Sequence, residues 1–149
     1  AKIYSYHIFT GQIQLPNQRL YSNHVPHQLD LDAIEKCLNI LKGTHDFSSF
    51  EAVGSRDKSI TTGKGGVRTI YTATIEKHQN DLIFTFCGDG FLRHMVRNFV
   101  GTLIEAGRGK RTPENFKKTL AAKERSKGGS TAAAKGLFLR EVLYNPLTL

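Results

Sequence analysis

Apolar and polar residues alternate from Lys2 to Phe9, with Tyr4, Tyr6 and Ile8 on one side and Ile3, Ser5, His7 and Phe9 on the other, which predicts a strand. A polar stretch containing Pro16 and Pro26 leads to Asp30, an N-cap for a helix whose inner face is Leu31, Ile34, Cys37, Leu38 and Leu41, ended by Gly43. Thr44 to Phe50 (THDFSSF) reads as a short turn or helix with two aromatic anchors, and Glu51 to Gly66 as a polar loop. Val67 to His78 and Leu82 to Gly88 are rich in β-branched and aromatic residues, so the Gln79-Asn80-Asp81 break predicts an antiparallel hairpin. From Phe91 to Ala106 the spacing of Leu92, Met95, Val96, Phe99 and Leu103 is helical, with Gly107 as the stop and Arg93 and Arg97 on the other face. Thr112-Pro113 opens another helix through Phe116 and Leu120, followed by a Lys/Gly/Ser-rich loop from Lys123 to Gly129. Leu137 to Tyr144 completes the pattern as a strand. The class these elements predict is α+β, a largely antiparallel sheet with helices packed on one face, in a single domain spanning residues 1–149.

Composition adds a partner to this picture. Hydrophobic residues are 39% of the chain, enough for a packed core, and the longest apolar runs fall far short of the roughly 20 residues of a membrane span. No signal-peptide pattern opens the sequence, so a cytoplasmic protein with no membrane partner is expected. Cys37 and Cys87 sit far apart in apolar patterns, as small buried thiols rather than a disulfide framework. The 21 Lys and Arg against 13 Asp and Glu give a formal charge of +8, which makes a polyanion the first partner to consider. Charge alone equally describes a solvated basic surface.

The chemistry concentrates in Gly88 to Gly101 (GDGFLRHMVRNFVG), where two glycines carry a strand end into a helix. Arg93 and Arg97, four apart, would share a helical face and reach one anionic target, unless they are simply a solvated face. This segment resembles the FLRHMVRN(I/V)VGTL stretch of TruA-type tRNA pseudouridine synthases, differing mainly at Phe99, where an aliphatic residue is common. Lys2 to Tyr6 is similar to the family's K-x-Y-x-Y strand, Gly43 to Phe50 to its G-x-H-D-F-x-S-F segment, and Gly136 to Leu139 to its G-L-F-L strand. The four segments keep the family's order across nearly the whole chain. Ala133 departs from the proline common in T-A-P-A, which bears on the rigidity of that loop.

The resemblance implies the C-terminal half of an isomerase that converts uridine to pseudouridine in the anticodon stem-loop of tRNA, as a homodimer and with neither metal nor organic cofactor. It implies further that the nucleophile is an aspartate in a G-R-T-D-x-G motif of the N-terminal half, with the uracil detached, turned and rejoined through carbon. That motif does not occur in this sequence, which begins near the family's second-half strand as if cut there. By the same resemblance Arg97 pairs with the catalytic aspartate, Tyr4 packs against the target base, and Leu137 and Leu139 form an apolar floor. Tyr4 alone would also suit a core aromatic, and Tyr6 on the same face competes with it. Asp57 in Gly54-Ser55-Arg56-Asp57-Lys58 is only a lookalike for the nucleophile, because it lacks the following glycine.

Arg93, Arg108, Lys110 and Arg111 are the candidate RNA contacts, with Arg56, Lys58, Arg68, Lys117, Lys118, Lys123, Arg125 and Lys127 as further basic positions. His24 and His27 form H-x-x-H without the cysteines or carboxylates of a metal site, and Gly63-Lys64-Gly65-Gly66 lacks the spacing of a phosphate loop. A fragment lacking the nucleophile is expected to be inactive alone. A stand-alone, non-catalytic RNA-binding module and a folding or dimerisation piece are the alternative readings.

Overall fold

The computed structural model describes residues 1–57, 59–60 and 63–144. Six strands and three α-helices follow in the order β1 (Lys2–Phe9), β2 (Asn23–His24), α1 (Leu31–Leu41), β3 (Gly43–Asp46), β4 (Val67–His78), β5 (Asp81–Gly88), α2 (Met95–Gly107), α3 (Pro113–Ala122) and β6 (Leu137–Val142). The strands form one mixed sheet of order β2-β1-β5-β4-β3, with β6 also on β1. All pairings are antiparallel except the short β1–β2 contact at Ile8 and Phe9. One edge of β1 is therefore filled by β5. The other is divided between β6, along Lys2 to Tyr6, and β2.

The expected α+β class is what the chain adopts, and α1 and α3 begin where their caps predict. Asp30 accepts a hydrogen bond from the Ala33 N–H, and Thr112 does the same from Asn115 with Pro113 behind it. Several boundaries differ from the sequence reading, among them the last strand, which stops at Val142 rather than Tyr144. Gly43–Asp46 is a strand paired to β4, and only Ser48–Phe50 makes a helical turn, of the 3-10 kind. The hairpin turn is the two residues Gln79 and Asn80, since Asp81 already pairs with His78. Helix α2 starts at Met95 rather than Phe91, because His94 lies in the left-handed region at φ 60°.

Cross-strand register sorts the sheet's two faces. Tyr6 lies opposite Phe84 and Leu137, and Phe84 opposite Ile75, so these share the helix-covered face with Ile8, Leu82, Phe86 and Ala73. A bulge at Tyr71 shifts the phase of β4, which lets Ile70 and Ala73 both point inward. At the centre of the core is Phe99 of α2, fully buried, with its ring 5.5 Å from Phe47, 5.0 Å from Phe50 and 5.4 Å from Phe86. Aromatic pairs at such separations add attraction beyond the area they bury. Both cysteines are free and buried, and burial raises the Cys37 thiol to about 11. No described helix is long and apolar enough to cross a membrane.

Phe99→Ala should therefore destabilise the domain by about 3–5 kcal/mol, whereas Phe99→Leu should cost about 1.5 kcal/mol or less. Chemical denaturation of the two variants checks this. A loss of under about 1 kcal/mol for Phe99→Ala would mean that the aromatic cluster does not depend on this ring.

Candidate functional site

Three segments distant in sequence meet at one open hollow of about 280 Å³ beside the start of α2. Tyr4 from β1, Leu137 from β6 and Arg97 from α2 line it, together with Phe91, His94 and Ala134. Register brings the strand residues together. Tyr4 stands opposite Leu139 of β6 and Phe86 of β5, one step along the same face from Tyr6. Tyr4 is half-buried, and its ring meets Phe91 edge-on at 5.0 Å, which fixes the tyrosine in place without covering it.

Tyr6 is fully buried and donates its hydroxyl to the Ala133 carbonyl at 2.5 Å. Burial pushes its phenol up to about 12, partly offset by the Arg97 charge. It is a structural residue and does not line the hollow, which removes it as a competitor for Tyr4. Leu139 shares Tyr4's face but is 52% exposed at the sheet edge and lies outside the lining. Leu137 alone of the expected apolar pair contributes to the floor.

Arg97 sits in the first turn of α2 and is held by backbone. Its Nε donates to the Ala132 carbonyl at 2.8 Å, while the Ala132 N–H donates back to the Arg97 carbonyl at 3.0 Å. No carboxylate among the described residues forms a salt bridge with it. The expected shared helical face of Arg93 and Arg97 does not exist, since Arg93 precedes the helix, is exposed, and uses its carbonyl to accept the Ala52 N–H. Both nonetheless line the hollow. His94 was not singled out by its sequence context. Its left-handed backbone delivers the loop into α2, and desolvation together with the Arg97 and Arg93 charges lowers its imidazole pKa.

Beyond the segment Ser130 to Ala133 lies a second groove of about 370 Å³, lined by His24, His27, Arg108 and Lys110 over a floor that includes Gly101, Ile104 and Ala132. Arg108 and Lys110 are exposed and have no salt-bridge partner among the described residues. His24 presents Nε2 to the Gly11 carbonyl at 2.6 Å, so that nitrogen carries the proton. Arg111 differs from its neighbours. Its guanidinium donates to Glu105 at 2.8 Å, to Asn115, to Thr119 and to the Lys127 carbonyl, tying α2 to α3, so it is an internal clamp. Arg125 donates to Asn98 and Thr131, and Arg56 to the buried Glu51, so neither is a freely solvated charge. Arg68 donates to the Gly65 and Val67 carbonyls. Lys58 lies outside the described residues. Asp57 is exposed, accepts hydrogen bonds from Ser59 that lower its pKa, and does not line the hollow.

The α+β fold thus brings a tyrosine, a leucine and a backbone-held arginine to one open hollow, with Leu139 left outside it. The profile of the tRNA pseudouridine synthase family matches residues 38–145. The chain is 52% identical over 145 residues to tRNA pseudouridine synthase A 1 of Desulfotalea psychrophila, covering 97% of this chain and 58% of that relative. It is 43% identical over 146 residues to tRNA pseudouridine synthase A of Lacticaseibacillus casei, covering 97% of this chain and 57% of that relative. Against the protein of the same name from Clostridium acetobutylicum it is 42% identical over 144 residues, with 97% and 57% covered. This chain therefore belongs to the tRNA pseudouridine synthase family, and it spans less than three-fifths of the length of these curated relatives.

The geometry generates a direct check on the hollow. By NMR, His94 should titrate below the ordinary 6.5, and Arg97→Ala should move its midpoint upward by removing a nearby cation. An unchanged midpoint in Arg97→Ala would separate the two side chains.

Proposed function

We propose that this chain forms one wall of the active-site cleft, and part of the RNA-binding surface, of a tRNA pseudouridine synthase that isomerises uridine in the tRNA anticodon stem-loop. The observation that carries the reading is the convergence of Tyr4, Leu137 and Arg97 on one hollow, the residues that the family resemblance assigns to the target base and the catalytic aspartate. In this reading the remaining part of the enzyme, the N-terminal half of its relatives, supplies that aspartate. The complete enzyme is a homodimer that uses no metal or organic cofactor.

The chemistry assigned to each side chain follows from its position. A uridine must leave its stack before an enzyme can reach its glycosidic bond, and the exposed part of the Tyr4 ring gives the extruded base a face to pack against. Leu137 covers the other part of the base with aliphatic surface. The Arg97 guanidinium keeps the attacking carboxylate ionised and oriented, since a charge-assisted pair favours the anion. While the uracil is detached, the same apolar walls confine it as it turns and rejoins through carbon. Arg108 and Lys110, across a short segment of backbone from the hollow, are positioned to neutralise phosphates flanking the target nucleotide.

In the complete enzyme, Arg97→Ala should cost about 2–5 kcal/mol of transition-state stabilisation, as expected for deleting one partner of a desolvated charge pair. Arg93→Ala should cost less, because a rim contact to phosphate is shared among many. Single-turnover kinetics on an anticodon-arm RNA measures both, and the reverse order of effects would sink the role assignment. Asp57→Ala should leave the rate unaltered.

Binding of the same RNA should weaken steeply between low and physiological salt, and Arg108→Ala with Lys110→Ala should flatten that dependence, by about one unit of log–log slope for each phosphate no longer neutralised. RNA binding that persists in the complete enzyme without any isomerisation would favour the non-catalytic module.

A further inference from the structure

The segment Gly128 to Ala134 carries no charge that could serve catalysis, yet it is pressed onto α2 where Arg97 leaves the helix. Ala132 grips Arg97 at two points, through its carbonyl to Nε at 2.8 Å and through its N–H to the Arg97 carbonyl at 3.0 Å. The residues on either side of Ala132 are themselves tied down. Thr131 donates its hydroxyl to Asn98 at 2.6 Å, and Tyr6 donates to the Ala133 carbonyl at 2.5 Å. The backbone lies so close to the helix that a Cβ on Gly101 would collide with the Ser130 carbonyl oxygen. Only glycine permits that approach.

The consequence for the guanidinium is geometric. Its Nε–H is spent on a fixed carbonyl, so the end bearing the two Nη nitrogens is the part left to meet an anion. An arginine on a free side chain would instead sample many directions, and pairing with a carboxylate would have to restrict them. Holding the group beforehand removes that cost from the reaction.

We propose that Gly128 to Ala134 is a backbone clasp that orients Arg97, and that Tyr6 and Thr131 are positioning residues which act on the reaction through it. The proposal rests on the reading of Arg97 as the partner of the catalytic carboxylate. Tyr6 has no access to substrate, being fully buried, and its hydroxyl reaches the clasp through the Ala133 carbonyl, next to the Ala132 that holds Arg97.

The test uses Tyr6→Phe and Thr131→Val in the complete enzyme, each made alone and in an Arg97→Lys background. The chemical step is read by single-turnover kinetics at saturating anticodon-arm RNA, and RNA affinity is read separately. Each variant alone should slow the step about tenfold with affinity within twofold, as expected for an orientation effect rather than weakened binding. In the Arg97→Lys background the same substitutions should change the rate less than twofold, because lysine has no Nε–H for Ala132 to hold. Losses of equal size in both backgrounds, or no loss in either variant, would overturn the clasp while leaving the role of Arg97 intact. Full activity of Arg97→Lys and Arg97→Ala would instead overturn the reading of the site, and the clasp with it.

Discussion

The contact on which most of this domain depends is the meeting of Phe99 with Phe47, Phe50 and Phe86. Those rings come from the segment after β3, the 3-10 turn and β5, so one side chain of α2 fastens the helix both to the sheet and to the chain that crosses above it. With Phe99 in place, the rotation of α2 is set, and Arg97, two residues earlier, is carried toward the rim while Asn98 is turned inward. Asn98 is fully buried and donates its amide to the Phe50 carbonyl at 2.7 Å, so polar and aromatic contacts agree on the same orientation. Its neighbours are arranged to receive an aromatic ring at position 99.

Much of the architecture was legible because its signals are local. Asp30 and Thr112-Pro113 announce helix starts through groups a few residues away, and the β4–β5 hairpin shows in composition and spacing alone. The start of α2 was not legible, since Phe91 and Leu92 continue the apolar pattern while the backbone at His94 turns left-handed. Strand β3 was hidden for the opposite reason: Gly43 to Asp46 has little strand character of its own and is strand only because it pairs with the outer edge of β4 from Val67 to Ile70. Alternation put Tyr4 and Tyr6 on one face correctly. It could not tell which of them the end of the sheet would leave accessible.

The site divides in a similar way. Tyr4, Arg97 and Leu137 were singled out by family resemblance, and the structure brings them to one hollow. Arginines were harder to sort, because a guanidinium in a sequence carries no label for its partner. Arg56, Arg111 and Arg125 look as available as Arg108 until Glu51, Glu105, Asn98 and Thr131 are brought to them by the fold. The excess of positive charge thus overstates the surface open to a phosphate backbone. The alanine at position 133 changes less than its departure from the family suggests, since its φ of −60° is the angle a proline ring would impose.

Strand β4 is longer than its outer partner, and from Tyr71 to His78 that edge meets no other strand among the described residues. Tyr71-Thr72-Ala73-Thr74-Ile75 is an uncharged, β-prone run of the kind that can template cross-β stacking. The bulge at Tyr71 twists its beginning, and Glu76, Lys77 and His78 close its end with ionisable groups. Those features act as gatekeepers, disfavouring a runaway addition of strands while the protein is newly made and crowded among copies of itself. The hairpin that guards this open edge is the same one whose other half, β5, supplies Phe86 to the core.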